Sequence, residues 1–172
     1  MHKESRDNLL DRLDGRNAWQ FVGVLYLARW VVLVPVLVLS RFLFADSEIA
    51  AASVSEQVTK MNAGVLLLLL VVISPLFETL IECALPYLVV SQVRGYRRNR
   101  PKRSWGFVAI SACGMALLHP MLAAILPSLI TGAFLAYCYA HFAARGAGQA
   151  ILATAVFHGA INVVGSTMIV MS

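Results

Sequence analysis

The sequence predicts an all-α protein, a polytopic membrane bundle of about five transmembrane helices. Three observations lead there. Hydrophobic residues make up 59% of the 172, and charged residues only 13%, where soluble domains run at roughly 45–50% and about 25%. The apolar excess is gathered into long runs rather than dispersed at core spacing. The net charge of +5 is also concentrated: "RGYRRNRPKR", residues 94–103, holds six basic residues in a short polar gap between two such runs. Basic loops of this kind collect on the cytoplasmic side of membrane helices and attract anionic lipid. That context favours a juxtamembrane loop over a nucleic-acid patch, so no nucleic-acid partner is expected.

Residues 1–17 are polar and of mixed charge, which predicts a short cytoplasmic segment. The membrane domain then occupies 18–172. Its first apolar run, about 18–44, is too long, and its flank too acidic, for a typical signal peptide, although "EIAAAS" beyond it resembles a cleavage site. Arg41 can snorkel at the far end of that run. Arg29 lies deeper and is expected to pair with an acid inside the bundle. A polar loop to Asn62 precedes the second run, 63–93, which contains Pro75; a kink or break is expected just before that proline. The third span starts at Trp105 and ends near His119 or Leu126, with Pro120 and Pro127 marking a loop or re-entrant segment. The fourth, 128–144, offers Gly132 and Ala136 for close helix packing. "RGAGQ" is a tight turn, and 149–171 is the fifth span. Cys83, Cys113 and Cys138 match no metal spacing and are read as small buried hydrophobes.

With the basic loop inside, the N-terminus is cytoplasmic and the 45–62 loop is outside. Depths can then be counted at about 1.5 Å per helical residue. Glu78 lies about 22 Å from the cytoplasmic boundary, His119 about 21 Å, Asn162 about 20 Å and His158 about 14 Å. Polar groups from three separate helices thus come to similar depth. His158 and Asn162 share one helix face at i, i+4, and Glu78 and Glu82 do the same. Ionisable groups inside a bilayer are costly and mark functional sites. A Glu and a His can hold and deprotonate a water, while a second His and an Asn can donate to a developing oxyanion. Glu78, His119 and His158 could instead hold a divalent metal such as zinc. His141, near the cytoplasmic end of its span, is expected at the interface.

These residues resemble a known family, the CAAX protease and bacteriocin-processing (CPBP) group of intramembrane proteases, which includes the Ras-converting CAAX endopeptidase. Its pattern is Glu-Glu-x-x-x-Arg, then Phe-x-x-x-His, then His-x-x-x-Asn or Asp. "FETLIEC", "MALLH" and "HGAIN" resemble the three motifs in order, within a core of about 63–165. The resemblance implies that Glu78 is the catalytic glutamate and His119 the histidine that helps it activate water. It implies that His158 and Asn162 support the oxyanion. It leaves open whether a metal takes part. The chain departs from the pattern at Thr79, where the family has its second Glu, at Cys83 in place of the Arg, and at Met115 in place of the Phe. Glu82 falls on no motif position, and Arg29 is the cation left to bring charge from the first helix.

The expected function is an intramembrane endopeptidase that hydrolyses a peptide bond in a membrane-associated peptide or protein, in the bacterial inner membrane. Two rival readings stand beside it. One is a non-catalytic immunity or scaffolding protein of the same fold, motivated by the missing Glu and Arg. The other is a small proton relay or transporter, against which the lack of a visible repeat argues.

Overall fold

The computed structural model describes residues 17–43, 62–92, 105–119 and 122–171. All described secondary structure is helical. The expectations for residues 1–16, for the basic loop, for Pro120 and for the side chain of Arg41 lie outside the described residues.

Five helices form the bundle. Helix α1 spans Ala18–Leu43 and carries Pro35 inside it. Asn17 caps it, its side chain accepting from the Gln20 amide at 2.8 Å. Helix α2 runs without a break over Ala63–Ser91 and is capped by Asn62, which accepts from the Gly64 amide at 2.9 Å. Helix α3 is Trp105–Leu118, α4 is Leu122–Ala143 and α5 is Ala147–Met171. Four of the five are long and apolar enough to cross a membrane; α3 is not. Its 14 residues rise only about 21 Å, against a hydrocarbon core of about 30 Å. Large apolar side chains such as Leu27, Val31, Phe77, Leu88 and Leu152 point outward from the bundle, as lipid-facing residues do.

Pro127 behaves differently from the sequence expectation, and Pro75 is met by a widened helix rather than a break. Pro127 does not mark a loop: α4 begins at Leu122 and takes Pro127 within it. Pro75 does not break α2. Instead α2 widens into π-helical turns at Leu69–Ile73 and again at Thr79–Ala84. Each ends two residues before a proline. The amide of Ser74 reaches the Leu69 carbonyl, and that of Leu85 reaches Leu80, both five residues back. The next amide in each register would belong to Pro75 or Pro86, which have no N–H to give. The wide turn lets the chain pass the proline ring while the helix continues.

The helices meet through small residues and rings. Gly132 of α4 abuts α3 so closely that an added Cβ would lie 2.8 Å from Met115 Cβ and 2.9 Å from Ala112 Cα. Ala136, one turn on, is fully buried. The small-residue packing expected for α4 is therefore real, and it is α3 that it admits. At the end of the bundle nearest the basic loop, aromatic side chains fill the core. Phe21 stacks on His141 at 3.8 Å and meets Phe142 edge-on at 5.6 Å. Tyr87 packs on Phe107 and Tyr139 at 5.2 and 5.3 Å. His141, expected at the interface, is buried here, because the start of α1 lies across the end of α4. The turn into α5 uses Gly146 at φ +128°, a conformation that side chains with a Cβ rarely adopt. Cys83 and Cys138 are buried as expected, but Cys113 is exposed.

Candidate functional site

Away from the aromatic end, the helices part around a cleft of about 440 Å³. Glu78, His119, His158 and Asn162, the four residues singled out in the sequence, all line it. They come from α2, the end of α3 and α5. Helices α2 and α5 run antiparallel here. His158 meets Glu78, Gly159 meets Val71, and Asn162 meets Leu70.

Glu78 has two partners. His158 Nε2 lies 3.3 Å from Oε2, with the histidine almost wholly buried and the glutamate about a quarter exposed. The hydroxyl of Ser74, one turn back on α2, donates to Oε1. One carboxylate oxygen thus faces an imidazole and the other a hydroxyl, which fixes the plane of the group. Ser74 was missed in the sequence reading, although its i−4 spacing from Glu78 was visible.

His119 is held by its own helix. Its Nδ1 lies 3.0 Å from the Met115 carbonyl. A carbonyl only accepts, so Nδ1 carries the proton and Nε2 is left with a lone pair. That atom can take a proton from water or ligate a cation. The contact Glu78 makes is with His158, not with His119. Met115 has a double role: its carbonyl fixes His119 and its side chain packs against Gly132.

Asn162 is also committed in part. Its Nδ2 donates to the Leu70 carbonyl at 3.0 Å. That carbonyl is the one left without an amide by Pro75 in the π register. The proline and the asparagine are therefore two halves of one arrangement, and the second Nδ2 proton of Asn162 remains for other use. Next to His158, Gly159 brings α5 onto α2: a Cβ there would lie 2.4 Å from the Val71 carbonyl oxygen.

Two sequence expectations are corrected. Among the described residues Arg29 pairs with no acid. It is buried, its Nε and Nη2 bond the Thr131 hydroxyl at 3.3 and 3.1 Å, and its guanidinium lies 4.8 Å from the Trp30 ring centre. It lines the same cleft as Glu78. Glu82 does not: it is buried with no hydrogen-bond partner on either oxygen among the described residues. The π turn that starts at Thr79 changes the angle between successive residues, so Glu82 is turned into the bundle with Thr79 and Cys83, all three buried.

Among the described residues no three His, Cys, Asp or Glu side chains gather as a metal site. Glu78 and His158 form a pair of possible donors, and His119 lines the same cleft. Comparison with family models, curated proteins and solved structures returned no match.

Proposed function

We propose that this chain is an intramembrane endopeptidase of the CPBP type, hydrolysing a peptide bond in a membrane-associated peptide or protein. The observation that carries the reading is the convergence of Glu78, His119, His158 and Asn162 from separate helices on one cleft.

In this reading a water held between the Glu78 carboxylate and His119 Nε2 attacks the carbonyl carbon of the scissile bond. Its proton passes to Glu78, and a tetrahedral oxyanion forms. The second Nδ2 proton of Asn162 stabilises that oxyanion, while His158 Nε2 stays engaged by Glu78. Glu78 then delivers its proton to the leaving nitrogen as the C–N bond breaks, so that one water is consumed per bond. His158 and Ser74 hold the Glu78 carboxylate in line throughout.

The departures from the family pattern fit this reading. Thr79 and Cys83 are one turn apart and equally buried. The family's Glu and Arg would stand there as an internal charge pair. Both charges are gone together here, so neither position holds a lone buried ion. Arg29 brings a cation to the cleft from α1 instead.

We place the N-terminus and the loop at 94–103 in the cytoplasm, with the protein in the bacterial plasma membrane; reporter fusions at each end test this. For the activity, purified protein in liposomes is offered a set of membrane-inserted peptides, and new chain ends are read by mass spectrometry. Cleavage is expected, and its loss in Glu78→Ala and in His119→Ala with both proteins still folded. Full activity in either variant overturns the mechanism. A cellular phenotype retained by Glu78→Gln would favour the non-catalytic reading.

A further inference from the structure

Among the described residues Arg29 is the one strongly basic side chain lining the cleft, and no acid there pairs with it directly. The residue is only 5% exposed. Nε and Nη2 share a single hydroxyl, that of Thr131, and Nη1 has no hydrogen-bond partner among the described residues. The acids nearest in sequence to the site are otherwise engaged or turned away. Glu78 is held by His158 and Ser74, and Glu82 does not line the cleft.

A guanidinium cannot shed its charge in a protein. Carrying one at the centre of a helix in a bilayer costs about 2.5–3.5 kcal/mol on insertion scales, and such residues mark substrate paths. Thr131 and the Trp30 face orient the group without matching its charge. The guanidinium is therefore oriented: Nε and Nη2 hold the Thr131 hydroxyl, Nη1 is closed off without a partner among the described residues, and the second Nη2 proton is left for an oxyanion.

We propose that Arg29 is a substrate-binding residue that receives a carboxylate of the bound peptide, either its terminal carboxyl or an acidic side chain near the scissile bond. The inference rests on the peptidase reading for the kind of ligand. A cleft of about 440 Å³ is at the small end of ligand sites, which run roughly 300–1,000 Å³. It suits a short stretch of peptide better than a two-chain lipid.

The test uses the full chain, purified in neutral detergent, and three fluorescent leucine-rich peptides with N-methylated backbones that resist hydrolysis. One ends in a free carboxyl, one in a carboxamide, and one in a carboxamide with a single internal Glu. Binding is read by anisotropy. One or both carboxylate peptides are expected to bind about 10- to 100-fold tighter than the neutral one, the range a charge-assisted hydrogen bond gives. Which of the two does so identifies the source of the carboxylate. The preference is expected to vanish in Arg29→Gln and to return in part in Arg29→Lys. Equal affinity for all three peptides in the wild type overturns the proposal, as does a preference that survives Arg29→Gln, or no saturable binding. The wild-type comparison decides even if Arg29→Gln does not fold. A preference abolished by added phosphatidylglycerol assigns the cation to lipid and also overturns it. Cleavage is read separately on unmethylated peptides. Hydrolysis without a carboxylate preference sinks this inference alone, and a preference without hydrolysis sinks the peptidase reading alone.

Discussion

Gly159→Ala is the substitution whose effect follows most directly from the geometry. The new Cβ would lie 2.4 Å from the Val71 carbonyl oxygen, where ordinary contact begins near 3.4 Å, so α5 and α2 must separate by about 1 Å. The neighbouring atom is backbone and cannot swing aside. Such overpacking costs about 1–3 kcal/mol, offset by up to about 1 kcal/mol because Ala is the better helix former. At about 2–4 °C per kcal/mol for a chain of this size, the net loss of about 0–2 kcal/mol lowers Tm by up to about 8 °C. With Cys113, the exposed thiol, replaced by Ser, a thiol-reactive maleimide dye reads this well, since Cys83 and Cys138 are buried in the fold and react only as it opens. The same 1 Å acts on the site. His158 precedes Gly159 and lies 3.3 Å from Glu78; moved outward, it leaves hydrogen-bonding range. Cleavage should fall by about 100-fold, as misplacements of this size can cause. Gly114 is the control, with no atom within 4 Å of its would-be Cβ. Gly114→Ala should leave Tm unchanged or raise it. If Gly159→Ala melts with the wild type and cleaves as fast, the close approach of α5 to α2 is not as described and the reasoning fails.

Three other outcomes follow from single contacts. Asn162→Ala removes the donor to Leu70 and should cost about 0.6–2 kcal/mol. In a Pro75→Ala background the restored amide can serve that carbonyl, so the same substitution should cost less than half as much in a double-mutant cycle; equal costs would separate the two residues. Ser74→Ala frees Oε1 of Glu78 and should lower kcat/KM about 3- to 10-fold with little change in Tm. Ser74→Thr should restore it, and failure of that rescue would make Ser74 a packing residue only. Glu82→Met replaces a buried carboxylate that lacks partners among the described residues with an apolar side chain of similar length. Tm should hold or rise by a few degrees, and a sharp fall would reveal a contact for Glu82.

How the sequence relates to this structure differs from residue to residue. The ends of α1 and α2 and the Gly146 turn were legible because their causes lie within a few residues. So was the shared face of His158 and Asn162. Pro127 misled, because a proline's effect depends on whether neighbours let the helix continue. About five spans were legible as apolar runs, and five helices stand among the described residues, four of them long enough there to cross a membrane. His141 and Arg29 were assigned environments by depth alone, and depth does not say which helix lies alongside.

By itself the sequence determined an all-α bundle, the order of its helices and the four polar residues that belong together. Hydrophobic runs and i, i+4 spacing are local properties of the chain, and the bilayer leaves helices as the way to satisfy the backbone. Only the tertiary structure decided the pairings: Glu78 with His158, Asn162 with the carbonyl that Pro75 left open, Arg29 with Thr131 and not with an acid. Those contacts join residues about 80 to 100 positions apart. They depend on helix rotation, and in α2 the π turns set that rotation. The extra residue in each turn is what separates Glu78, in the cleft, from Glu82, inside the bundle.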